Sequence, residues 1–312
     1  MNSTRTITLS VLSTLLLGIC GFFALPVTAQ QLDAPDLIQS FPVGSGPVGL
    51  AEEGENIWVA NFADNTVTKL RASDGALLGT FPVGTGPYGI LFDGINIWVV
   101  NYWDDTVMKL QPSDGTVIGT FNVGAYPLYA AFDGANIWID STSEDFVTKL
   151  RASDGALLGT FQVGLAPYGI TFDGANIWTA NIFDNTVTKL RASDGVVLGT
   201  FPVDSVPDPI IFDGTNIWVA SINESTVTKL RASDGAFLAK RHVGSDPEAL
   251  AFDGANVWVA NKFDDTVAAF GQGGGLIKHI YRVEDAPDGL LFDGSSMWVA
   301  NYLANTVDKI SR

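Results

Sequence analysis

A tryptophan recurs at Trp58, Trp98, Trp138, Trp178, Trp218, Trp258 and Trp298, forty residues apart each time with no insertion or deletion. A rigid period of this length, made of short apolar runs and turns, demands equal units that each cover a neighbour's apolar face. In the second unit, residues 87–92 are a short apolar run ended by Asp93-Gly94, and residues 96–101 are another. Residues 106–110 follow, ended by Ser113-Asp114-Gly115, and residues 117–123 complete the set. β-Branched and aromatic runs separated by Asp-Gly are hairpin chemistry, because glycine takes the positive φ that tight turns require. Four antiparallel strands per forty residues make one blade. The chain is therefore predicted to be all-β, a seven-bladed β-propeller occupying residues 30–312 as one domain.

The count of strands predicts how the ring closes. The first three strands of the unit occur seven times, but the first copy of the fourth, residues 37–44, precedes the first complete set. The N-terminal strand should therefore complete the last blade beside residues 306–310, leaving no open edge at the seam. Pro42, Pro82 and Pro202 fall in the fourth strand, where proline's missing N–H is tolerated only at an edge, so this strand is outermost. The periodic tryptophans lie on the second strand, inside each blade, where core packing between blades accounts for them. Each ring has about 150–250 Å² to bury.

The first thirty residues read differently. Arg5 is the only charge before an apolar run from Ile7 to Leu25, and Thr28-Ala29 offers a small-residue cleavage site. This is the order of a secretory signal peptide, residues 1–29, which predicts a secreted or periplasmic protein with no membrane span after cleavage. Removal of that segment takes away Cys20, the only cysteine, and with it any disulfide or thiolate metal site. Thirty-four acidic residues against seventeen basic ones repel nucleic acid and anionic lipid.

The units repeat unevenly on the two faces of a propeller. Loops joining the first and second strands, and the third and fourth, share one face, where Phe-Asp-Gly and Arg-Ala-Ser-Asp-Gly recur. The opposite face varies, as between Tyr102-Trp103-Asp104-Asp105 and Ile222-Asn223-Glu224-Ser225. The residue after the repeated proline should stand at the mouth of the central channel. Around the ring it reads Val48, Tyr88, Leu128, Tyr168, Asp208, Glu248, Asp288. The expected site sets Tyr88, Trp103 and Tyr168 against Asp208, Glu248 and Asp288. Asp246, Glu284 and Asp285 extend the acidic side, and Tyr126, Tyr129 and Phe183 the aromatic side. Clustered carboxylates repel unless a cation relieves them, so Asp208, Glu248 and Asp288 are also candidate ligands for Ca²⁺ or Mg²⁺. Aromatic rings beside them suit an amine or a sugar. A hydrated acidic rim and simple loop packing are the plainer alternatives.

Nucleophilic catalysis finds little support. His242 and His279 both fall in outermost strands, so no serine or threonine has a histidine placed to activate it. No phosphate-binding loop or dinucleotide fingerprint is present. The chemistry points to an exported monomer that binds a small molecule, a glycan or an envelope protein through the variable face.

Ile57-Trp58-Val59-Ala60-Asn61, followed by Asp64-Asn65-Thr66-Val67-Thr68-Lys69-Leu70, resembles the YVTN family of propeller repeats, which is NHL-like in style. That resemblance spans residues 33–312 and implies a binding or scaffold role at a cell envelope. Pro87-Tyr88-Gly89-Ile90 is similar to the streptogramin B lyase family, seven-bladed propellers that open a macrolactone with Mg²⁺ and channel-mouth His and Glu. That second resemblance implies Glu248 or Glu284 as acidic partners, while Tyr88 and Tyr168 stand nearest to the histidine positions.

Overall fold

The computed structural model of the chain describes residues 38–273 and 275–311. The predicted export signal, residues 1–29, lies outside them. The described strands, β1 to β28, form seven four-stranded antiparallel sheets. In the first blade, β2 (Pro47–Glu53) lines the channel, β3 (Asn56–Asn61) and β4 (Thr66–Arg71) follow outward, and β5 (Leu77–Pro82) is the rim. The seam closes as the strand count requires. β1 (Ile38–Pro42) pairs antiparallel with β28 (Thr306–Ser311), with Phe41 opposite Val307, and so forms the outer strand of the seventh blade. Among the described residues no helix is long and apolar enough to cross a membrane.

All seven periodic tryptophans are buried, and each packs on the next blade, as Trp58 does on Ile97, Val99 and Leu110. An indole cannot be buried cheaply without a partner for its N–H. The aspartate of Phe-Asp-Gly supplies one: Trp98 Nε1 donates to Asp93 Oδ2 at 2.7 Å, and Trp138, Trp178, Trp218 and Trp298 repeat the bond. The other oxygen of Asp93 accepts the amides of Ile95 and Asn96 and so shapes the turn. Burial works against ionisation of Asp133, Asp173, Asp213 and Asp293, yet the indole and turn donors hold each carboxyl below its ordinary range. The repetition on this face is a packing requirement.

A lysine on the third strand completes the unit. Lys149 lies 4.7 Å from the Trp138 ring centroid and donates to the carbonyl of Ala192 in the next blade at 2.7 Å. Lys69, Lys109, Lys189 and Lys229 reach across in the same way, and Lys309 crosses the seam to Ala72 O. Ala269 stands at the lysine position in the sixth blade. It faces the seventh blade, whose third and fourth strands come from opposite ends of the chain and share no turn to receive a lysine.

Candidate functional site

Most acids of the variable face have structural employment. Asp64, Asp104, Asp184 and Asp264 accept backbone amides of Ser45, Thr85, Leu165 and Ser245 at 2.6–2.8 Å. Asp105, Asp145 and Asp265 accept an amide from the following blade link, at 2.9–3.0 Å. These bonds fix the loops around the channel and leave their carboxylates little to offer a ligand.

The channel is different. Its inner strands approach one another so closely that a Cβ on Gly49 would lie 2.2 Å from the carbonyl oxygen of Tyr88, and one on Gly289 would lie 1.9 Å from that of Val48. The third blade breaks this pattern at two positions in register. Tyr129 stands where other blades carry Gly49, Gly89 or Gly169, and Asp140 stands where they carry alanine or valine. Asp140 Oδ1 accepts the amides of Leu128 and Tyr129 at 2.8 and 2.9 Å. Those amides leave the sheet ladder, and the inner strand β10 shrinks to Ala130–Phe132. Tyr129 is thereby turned into the channel, where its ring meets Tyr88 edge-on at 5.3 Å and Tyr168 at 6.5 Å.

The result is a cavity of about 180 Å³ lined by Tyr88, Tyr129, Gly169, Pro209, Glu248 and Asp288, among others. Tyr168 and Asp208 each stand one residue before a lining position. Asp208 precedes Pro209 through a cis peptide bond. Trp103 is set apart from the cavity. It is 55 % exposed on its hairpin and packs against Tyr102 at 4.6 Å and Tyr126 at 5.9 Å. Phe183 is likewise an exposed hairpin tip.

One cation serves these acids. Lys262 Nζ lies 2.6 Å from Asp288 Oδ2 and 3.4 Å from Glu248 Oε1, and 5.6 Å from the ring centroid of Tyr302. The sequence marks both Lys262 and Asp140 as anomalies: one is the single charge in a column otherwise reading Phe62, Tyr102, Thr142, Ile182, Ile222 and Tyr302, the other the single acid in its column. Burial, then the charge of Asp288, pushes Glu248 up to about 7, with Lys262 pulling the other way. Burial pushes Asp140 up to about 7 against the two amides it accepts. Asp208 is held well above the ordinary carboxylate range by burial and then by Glu248, Asp140 and Asp288. It is fully buried, and neither of its oxygens has a hydrogen-bond partner.

Among the described residues no group of three His, Cys, Asp or Glu side chains is gathered as a metal centre needs. The donor set does not fit a divalent ion as it stands, because an ammonium occupies the place between Glu248 and Asp288. His242, in the outer strand Phe237–His242, and His279, in Ile277–Arg282, belong to the rim.

No family model and no curated protein matches the chain. Solved structures do. A streptogramin B lyase matches with a TM-score of 0.76 at 19 % identity, covering 88 % of this chain and 97 % of that one. Virginiamycin B lyase from Staphylococcus aureus matches with a TM-score of 0.76 at 17 % identity, covering 88 % and 99 %. Hydrazine synthase of Kuenenia stuttgartiensis matches with a TM-score of 0.77 at 16 % identity, covering 93 % and 99 %. At such identities the likeness establishes the architecture and nothing finer: the chain is a seven-bladed β-propeller.

Proposed function

We propose that the protein is an exported binding propeller of the YVTN type that takes a small ligand in the mouth of its central channel, on the variable face. One observation carries this reading. Chemistry that does not repeat around the ring converges on a single cavity, while the acids elsewhere on that face are spent on turns. Concave sites with a few polar groups among apolar and aromatic walls are where small molecules bind. The apolar N-terminal run fits export, and the acid balance fits a partner that is not nucleic acid.

The test is thermal unfolding of the purified protein against a panel of alkylamines, sugars, short peptides, Ca²⁺, Mg²⁺ and EDTA. A native-state ligand at a hundredfold excess over its Kd adds about 2.7 kcal/mol of apparent stability. The reading expects at least one stabilising compound whose effect disappears in Glu248→Gln. No stabilising compound, or an effect that Glu248→Gln leaves intact, rejects the channel site.

A lyase-like opening of a cyclic ester is the second reading, and Glu248 favours it. A carboxylate held near pH 7 at a cavity wall is poised as a general base. Turnover of a macrocyclic lactone by the purified protein, lost in Glu248→Gln, supports this reading; an intact lactone after prolonged incubation with Mg²⁺ rejects it.

A further inference from the structure

We propose that the ligand of the channel is a protonated primary amine, whose ammonium group pairs with Asp208 beside Tyr129 and Tyr168; this rests on the channel being the binding site. Asp208 has no contact with solvent, and both of its oxygens lack a donor. A buried carboxylate so placed is costly, and native structures almost always provide a partner. Its direction is set by the neighbouring inner strand. Asp208 Oδ1 lies 3.4 Å from the place a Cβ on Gly169 would occupy, and both Gly169 and Pro209 line the cavity. Gly169, having no side chain, puts no methyl between that oxygen and the cavity wall, although the oxygen itself is closed off from solvent.

The kind of partner follows from what the same wall already accepts. Asp288 and Glu248 share the ammonium of Lys262, which lies over the ring of Tyr302. Asp208, on the adjacent blade, is left one ammonium short. Burial and the neighbouring acids favour its neutral form, so to ionise it needs N–H donors and positive charge together. A neutral ligand supplies no charge, and a quaternary ammonium supplies no N–H. The phenols of Tyr129 and Tyr168 feel Asp208 more than any other charged group, and stand ready to take the remaining N–H bonds and to face the cation. By the same measure of volume a water needs only about 10–15 Å³, so 180 Å³ leaves room for a short alkyl chain behind the ammonium. Because Asp208 is shut off from solvent, entry requires the wall beside it to yield.

The experiment is calorimetric titration of the purified protein with four probes: butylammonium, tetramethylammonium, 1-pentanol and Ca²⁺. Butylammonium is expected to bind saturably and at least tenfold more tightly than the other three. Asp208→Asn is expected to weaken it at least tenfold with the fold intact by tryptophan fluorescence. Should that variant fail to fold, Gly169→Ala, which sets a methyl against Asp208 Oδ1, is expected to weaken butylammonium while sparing Asp208. Equal binding of 1-pentanol, tighter binding of Ca²⁺, or butylammonium binding indifferent to both variants overturns the proposal. If butylammonium fails while another panel compound stabilises the protein and is lost in Glu248→Gln, the amine is wrong and the channel site stands. If no compound of any class binds, both fall.

Discussion

Asp140 makes stability depend on pH in a direction opposite to that of most folded acids. Its carboxyl is raised from 3.8 to about 7 in the native state, chiefly by burial. A raised native pKa means that the folded form holds a proton the unfolded chain has released. The contribution is therefore complete below the unfolded value and is lost as pH climbs through about 7. Within that window one such group tilts the unfolding free energy downward by about 1.4 kcal/mol per pH unit, or about 4 kcal/mol across the whole interval as an upper bound. Asp140→Asn imitates the protonated acid: the amide oxygen still accepts from Leu128 and Tyr129, and nothing remains to ionise. The assay is denaturant unfolding followed by tryptophan fluorescence at pH 5, 6, 7 and 8. The variant should lose stability less steeply with rising pH than the parent and should exceed it at pH 8. Glu248, Asp208 and Asp288 are also raised, so the slope is reduced and not abolished. Parallel curves for the two proteins, or a variant weaker than the parent at pH 8, would refute the assignment of a buried, protonated acid.

The repeated unit supports further tests. Lys309→Met removes the bond to Ala72 O and the contact with Trp298, and should cost about 1–3 kcal/mol in chemical denaturation, whereas Ala269→Lys should gain nothing because no turn waits opposite it. Gly155→Ala sets a Cβ 1.9 Å from Phe121 Cε1 at a φ of +74° and should lose roughly 2–4 kcal/mol. Gly134→Ala, at φ +93° with open space around it, should lose only about 1–2 kcal/mol, and equal melting shifts for the pair would contradict the packing described. Removing residues 38–44 uncovers β28 and should produce aggregation on size-exclusion chromatography; a soluble monomer with unchanged melting would argue against the seam.

The architecture was legible because a forty-residue period is a geometric statement. Residues matching across units must occupy equivalent places, so one blade read from Asp-Gly turns predicts seven. The stray fourth strand at the N-terminus then has one place to go, and the prolines at Pro42, Pro82 and Pro202 name the rim. The site was legible only in part. Register put Tyr88, Glu248 and Asp288 at the channel, and the structure sets all three on the cavity wall. It gave no orientation for hairpin tips, and Trp103 points into its own aromatic cluster. Nor does strand register reveal that a single acid, Asp140, diverts two amides and swings Tyr129 inward, since that depends on side chain to backbone bonds across a hairpin. The bond from each tryptophan to an acid five residues earlier, Glu53 in the first blade and aspartate in the others, was hidden for the same reason. Asp140 and Lys262 were nevertheless visible, one as the single acid and the other as the single charge in its column.

The bare junction at Ala269 gives the acidic cavity a mechanical meaning. Blades six and seven lack the lysine clasp that links the first to the second and so on round to the seam, yet Lys262 of the sixth reaches Asp288 of the seventh on the opposite face. Among the described residues the ring is thus a bracelet with its one dissimilar link beside the channel cavity. A competitor for Asp288 would release the ion pair that ties these two blades at the one junction without a lysine clasp.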